Sequence, residues 1–155
     1  MQSMMNGAGT PRIEQWRAAW VGMACAIALH VTDEALTGFL PVYNEIVSGV
    51  RIRHPWVPLP TFTFPVWLGG LALGVLVLLG LTPLVARGTG WLSIASMVLA
   101  VLMVGNALGH FAGSLYMGRA VPGVYSSPVL LIAAVALLVT AWRARHDLVS
   151  RRGAR

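Results

Sequence analysis

The chain has 155 residues, of which 57% are hydrophobic and 10% are charged, and its formal net charge at pH 7 is +6. Soluble domains are about 25% charged, and the apolar residues here come in long runs, so the composition excludes a soluble globular domain and predicts a membrane protein. The basic residues are all arginines, and they lie mainly at the chain ends and beside the apolar runs. Cytoplasmic anchoring explains that distribution, so the positive charge does not indicate a nucleic-acid partner.

Four apolar runs are each long enough to cross a hydrocarbon core about 30 Å thick, which takes about 20 residues of α-helix. The first run ends at Pro41, because proline inside a helix removes a hydrogen bond and clashes with the preceding turn. Residues 42–65 include "HPWVPLPTFTFP", whose prolines and aromatic residues predict an interfacial loop. The predicted spans are 18–40, 66–86, 91–117 and 125–142, preceded by a cytoplasmic segment (1–17) and followed by a basic cytoplasmic tail (143–155).

The arginines predict the orientation of this all-α, four-helix membrane bundle. Placing both termini in the cytoplasm puts eight arginines inside and only Arg51, Arg53 and Arg119 outside. Basic residues are enriched on the cytoplasmic side, so we expect both termini inside, in a multi-pass protein of a bacterial inner (plasma) membrane. The alternative is that the first run is a signal peptide cleaved after "AIA", which would leave three spans.

The first run carries ionisable residues, which are costly in hydrocarbon and indicate a functional site by default. His30 lies three residues before Asp33 and four before Glu34, spacings that place side chains on one helical face, and Thr37 extends that face by one turn. A carboxylate at a helix centre costs about 2.5–3.5 kcal/mol on insertion scales. Pairing, protonation or a bound cation would lower that cost.

The third run has a polar stripe and, beside it, a stripe of glycines. The polar residues follow one another at spacings of four, as Asn106, His110 and Ser114. The glycines have the same spacing, as Gly105, Gly109 and Gly113. Small residues so spaced predict the close approach of a neighbouring helix. Because His30 and His110 lie past the middle of spans that run in the same direction, we expect the polar residues of both runs to meet in the outer half of the bilayer.

The segment "HVTDE" (30–34) resembles the motif of a family of small bacterial multi-span membrane proteins named for H-x-x-E-E, with Asp33 at the first glutamate position. The segments "NALGH" (106–110) and "PGVYSS" (122–127) are similar to the second half of that family. The resemblance spans about residues 24–131. It implies an integral membrane fold with a histidine and carboxylate site, but no particular activity.

Three functional interpretations of these polar residues are open. In the first, an enzyme binds zinc, iron or manganese through His30, Glu34 and His110, with Asp33 as a further ligand or a base. Its substrate would be a lipid or another apolar molecule that reaches the site from the bilayer. Three polar residues would support the ligands from behind: Asn106, Ser114 and Thr37.

In the second interpretation, His30, Asp33, Glu34 and His110 move protons on an apolar substrate without a metal, as in an isomerase. In the third, the chain is a binding, sensing or transport module, of which haem held by the two histidines is the least favoured form. A purely structural role ranks last, because interhelical hydrogen bonds contribute only about 0.6 kcal/mol on average. The expected partners are the lipid bilayer and an apolar small molecule, and the sequence does not predict an oligomeric state.

Overall fold

The computed structural model describes the backbone of residues 11–153 and the side chains of residues 11–150. Within that range all regular structure is helical. The helices are α1 (Pro11–Thr37), α2 (Phe39–Arg53), α3 (Phe64–Gly80), α4 (Thr82–Ala86), α5 (Gly90–Met117) and α6 (Ser127–Gly153). The first ten residues of the predicted N-terminal segment and the last two of the basic tail lie outside the described residues.

Four helical segments are long and apolar enough to cross a membrane: Pro11–Thr37, Phe64–Ala86, Gly90–Met117 and Ser127–Ser150. The second comprises α3 and α4, which meet at Leu81. The prediction of an all-helical chain with four candidate spans is therefore confirmed. The orientation of these helices relative to the cytoplasm stays a prediction.

The long helices form a bundle in which α5 packs along α6, α6 packs along α1, and α3 and α4 pack on α1. At one end, which we call the terminal end, α1 begins and α6 finishes, and Arg12 forms a salt bridge with Asp147 there. The turn before α5 lies at the same end, because a methyl group on Gly88 would lie 3.3 Å from Ile13. The opposite, far end therefore contains the ends of α1 and α5 and the beginning of α6.

Small side chains, rather than the predicted glycine stripe, line the contact between α5 and α6. The fully buried small residues are Ser93, Ser96 and Ala100, together with Ala107 on α5 and Ala134, Ala141 and Ala144 on α6. Gly105 and Gly109 are exposed, and nothing lies within 4 Å of the position that a Cβ would take. The glycine prediction is therefore wrong: Gly105 lies two residues before Ala107, which is about 200° away around a helix.

The core also ties α1 to α5. The side chains of Trp16, Trp20 and Met23 are buried between the helices. The indole of Trp16 donates a hydrogen bond to the hydroxyl of Ser96 at 3.0 Å. This contact joins the two helices that carry the predicted histidines, near the terminal end.

The predicted loop over 42–65 is wrong in its first half, because α2 occupies Phe39–Arg53. Gly38, with φ of 81°, takes a left-handed conformation that ends α1 and allows a second helix to begin at once. Pro41 is the third residue of that helix, where a backbone N–H has no partner within the helix, so a proline is tolerated. Only residues 54–63 are non-helical, and the side chain of Asn44 binds them to α2 through both backbone polar groups of Phe62.

Candidate metal centre

Three side chains of the kind that bind metals converge near the far end of the bundle. The Nε2 atoms of His30 and His110 lie 3.5 and 3.3 Å from Oε1 of Glu34. One ligand atom from each residue lies within 4.8 Å of the others. The three residues are 3%, 8% and 5% exposed respectively, so the group is buried inside the bundle. The structure thus brings together three of the four residues predicted for the site.

Helix geometry places these three side chains at one depth. His30 and Glu34 are one turn apart on α1, so their side chains share a face. His30 lies seven residues before the end of α1, and His110 lies seven before the end of α5. At about 1.5 Å per residue, both histidines are about 10 Å inside the far end. Their rings meet edge to face, with centroids 4.8 Å apart.

The turn between α5 and α6 closes the group from a third side. Gly123 in this turn has a φ of 86°, a left-handed conformation that favours glycine. A Cβ on Gly123 would lie 2.6 Å from Cε1 of His110 and 3.1 Å from Cγ of Glu34. Both the conformation and the space therefore require glycine, and the backbone of the turn packs directly against two of the three side chains.

Asp33 is not one of the three converging residues. Its Oδ2 accepts hydrogen bonds from the backbone N–H of Ser126 at 2.9 Å and from the Ser126 hydroxyl at 2.7 Å. Ser126 immediately precedes α6, and negative charge is favoured at the N-terminus of a helix. Asp33 therefore connects α1 to the beginning of α6.

The Ser126 hydroxyl also contacts the metal-binding group. Its Oγ lies 2.8 Å from Nδ1 of His30 and 3.2 Å from the carbonyl oxygen of Gly123. Within the part of the chain that the structure describes, Nε2 of His30 is buried without a hydrogen-bond partner. One ring nitrogen of His30 is thus fixed by a hydrogen bond, while the other faces Glu34 and His110.

The other predicted supporting residues take different places. Asn106 is half-buried on α5, one turn before His110. The Ser114 hydroxyl accepts a hydrogen bond from the backbone N–H of Val121 at 3.1 Å, so it holds the turn that follows α5. Thr37 is exposed, and its hydroxyl donates to the backbone carbonyl of Asp33 at 2.6 Å.

Two residues that contact the group were missed by the sequence reasoning, namely Ser126 and Gly123. Both lie in "PGVYSS" or its glycine, a segment that drew attention only through the family resemblance. A buried serine directly before a helix is ordinary capping chemistry, so its contact with a histidine 96 residues earlier has no local signal.

Aromatic rings cover His110 on the side of α2 and α3. The ring of Phe39 lies 5.9 Å from that of His110 and 6.1 Å from that of Trp67. Phe39 also stacks on Tyr43, which stacks in turn on Phe62 of the non-helical segment. These rings form an aromatic cover, which separates the His110 side of the centre from the far end.

Comparisons with protein-family models, with curated proteins and with solved structures found no match for this chain. The resemblance of "HVTDE" to the H-x-x-E-E family therefore stays a prediction, and function is inferred from the site itself.

Proposed function

We propose that this chain is an integral membrane enzyme that binds a divalent metal ion through His30, Glu34 and His110 and acts on a lipid or another apolar substrate. The observation that carries the proposal is the buried Nε2 of His30, which has no hydrogen-bond partner and faces the Glu34 carboxylate and the His110 ring. A cation between these atoms would satisfy all three side chains at once.

The donor set supports a metal. Two imidazoles and one carboxylate are ligands of catalytic zinc and of non-haem iron(II), whose sites keep positions open for water or substrate. Two ligand atoms at about 2.0–2.1 Å from one ion, separated by a tetrahedral angle, lie about 3.3–3.4 Å apart. The distances from Oε1 of Glu34 to the two Nε2 atoms are 3.3 and 3.5 Å.

The same distances argue against a set of simple ion pairs. Hydrogen bonds between a charged nitrogen and a carboxylate are about 2.7–2.9 Å long, shorter than either contact of Glu34. A buried carboxylate also needs compensation, because an isolated charge in an apolar interior is strongly unfavourable. A divalent cation supplies that compensation and is often the largest charge in such a site.

A bound metal would supply a Lewis acid or an activated water at this depth. The chain's own residues would bind it through Glu34 and the two histidines, while Phe39 and Trp67 restrict the access of water from the far end. The apolar, exposed surfaces of the surrounding helices favour a substrate that arrives from the bilayer.

Elemental analysis tests the metal site. The protein, purified in nanodiscs without added metal and then titrated with zinc, iron(II) or manganese, is expected to bind one ion per chain. His30→Ala, Glu34→Gln and His110→Ala should each abolish that binding. His54→Ala, which changes an exposed histidine outside the centre, is the matched control and should bind as the original chain does.

Binding well below one ion per chain under all of these conditions would overturn the proposal and would favour metal-free proton transfer by the same residues. Equal losses in His54→Ala and His30→Ala would place the metal elsewhere. The enzymatic part predicts that the metal-loaded protein, and not Glu34→Gln, changes the composition of a bacterial lipid extract, as measured by mass spectrometry. An unchanged extract would contradict a lipid substrate.

A further inference from the structure

The Ser126 hydroxyl lies between His30 and Asp33 and has a single hydrogen to donate. Its Oγ is 2.7 Å from Oδ2 of Asp33 and 2.8 Å from Nδ1 of His30. A carboxylate oxygen without a proton can only accept, so the 2.7 Å contact requires the hydroxyl hydrogen to lie between the two oxygens. The contact with His30 then requires a hydrogen on Nδ1, with Ser126 as its acceptor.

Oδ2 of Asp33 is placed to act as an acceptor. The hydroxyl and the backbone N–H of Ser126 both donate to this one oxygen, at 2.7 and 2.9 Å. Two donors on the same atom are incompatible with a proton there. The N-terminus of α6, where the carboxylate sits, further favours its ionised form.

We infer that Asp33 and Ser126 are positioning residues that hold His30 in the tautomer with hydrogen on Nδ1 and a free lone pair on Nε2. A neutral imidazole carries one ring hydrogen, so fixing it on Nδ1 leaves Nε2 available. This explains why Nε2, although 3.5 Å from the Glu34 carboxylate, makes no hydrogen bond.

The tautomer matters because a metal binds the unprotonated nitrogen of a histidine, and the group bound to the other nitrogen selects which one that is. For its purpose, the inference rests on the proposed metal site. The tautomer itself is a property of the chain without metal, so the two can be tested separately.

Two adjacent serines provide a matched pair of variants. Ser126→Ala removes the hydroxyl but keeps the backbone N–H that donates to Asp33. His30 is then expected to move its hydrogen to Nε2, where Glu34 can accept it. Ser127→Ala is the control, because Ser127 is equally buried and its hydroxyl donates to the carbonyl of Gly123 at 2.8 Å.

Nuclear magnetic resonance of the metal-free protein, labelled with ¹⁵N in its histidines, reads out the tautomer directly. The His30 signals are assigned as those that disappear in His30→Gln. The original chain and Ser127→Ala are expected to show hydrogen on Nδ1, and Ser126→Ala and Asp33→Ala on Nε2. Asp33→Asn, whose amide oxygen can still accept from Ser126, should keep the original tautomer. Ser126→Thr, which retains the hydroxyl, should also keep it and carries the test if Ser126→Ala does not fold.

Hydrogen on Nε2 in the original chain, or an unchanged tautomer in both Ser126→Ala and Asp33→Ala, would overturn the inference. With metal present, Ser126→Ala is expected to weaken binding about 10- to 100-fold, and Ser127→Ala to leave it unchanged. If the original chain binds no metal but shows hydrogen on Nδ1, the proposed function fails and the inference stands. If it binds metal and Ser126→Ala changes neither tautomer nor affinity, the inference alone fails.

Discussion

At Gly123 the backbone occupies the space in which any other residue would carry its side chain. The left-handed φ of 86° and the 2.6 Å approach to His110 are separate reasons for glycine, and a comparison with Gly118 separates them. Gly118 also has a positive φ, of 62°, but nothing lies within 4 Å of its missing Cβ.

Gly123→Ala is therefore expected to be more destabilising than Gly118→Ala. Both variants should lose about 1–2 kcal/mol of unfolding free energy for the left-handed conformation. Gly123→Ala should lose a further amount of about 1–3 kcal/mol, because its new methyl group overlaps His110. Denaturant unfolding in detergent measures both variants, and equal losses would contradict the close contact.

Residue spacing predicts part of the centre and misses the rest for a physical reason. His30 and Glu34 share a helical face, so their proximity follows from a spacing of four residues. The meeting with His110 followed from the matching depth of two parallel spans. The contact of Ser126 with Asp33 depends on the path of the turn before α6, which no short-range periodicity encodes.

At the scale of the helices, α5 shows that a pattern of small residues does not say which face it occupies. Its glycine stripe and its serine and alanine stripe both satisfy the spacing for close packing. Only the second is buried, because the partner helix α6 presents its own alanines there. A similar limit applied at Pro41, where the rule for helix interiors was applied to what is the first turn of α2.

Leucine substitutions on α5 should distinguish the two stripes. Ala107→Leu is expected to destabilise the protein by about 1–3 kcal/mol, because it overfills a fully buried position. Gly105→Leu should be neutral or slightly stabilising, since its position is exposed and glycine lowers helix stability by about 1 kcal/mol. Thermal unfolding in the same detergent compares them, and a larger loss for Gly105→Leu would contradict the packing described.

For the molecule as a whole, the outer surface of the long helices is apolar. Large side chains such as Leu76, Leu102 and Ile132 are 65%, 60% and 71% exposed, a degree of exposure that water would not favour over an extended surface. Hydrocarbon is the natural surrounding for them. The arginines then predict which end of the bundle faces the cytoplasm.

Cysteine labelling should determine that orientation. In a Cys25→Ala background, Thr61→Cys is expected to react with a membrane-impermeant maleimide in intact spheroplasts, because residue 61 is exposed at the end opposite the termini. Ser150→Cys, near the end of α6, should react only after lysis. The reverse pattern would show that both termini face outward.

The distance along the chain between the ligands has a consequence for how the protein is made. His110 is synthesised 80 residues after His30, a delay of about 4–16 s at translation rates of about 5–20 residues per second. Until then, Glu34 is in the nascent first span without either of its eventual contacts from α5 and the following turn, and Asp33 waits longer still for Ser126. The first span is therefore expected to enter the bilayer poorly by itself, and its stable insertion should depend on translation of the last two helices.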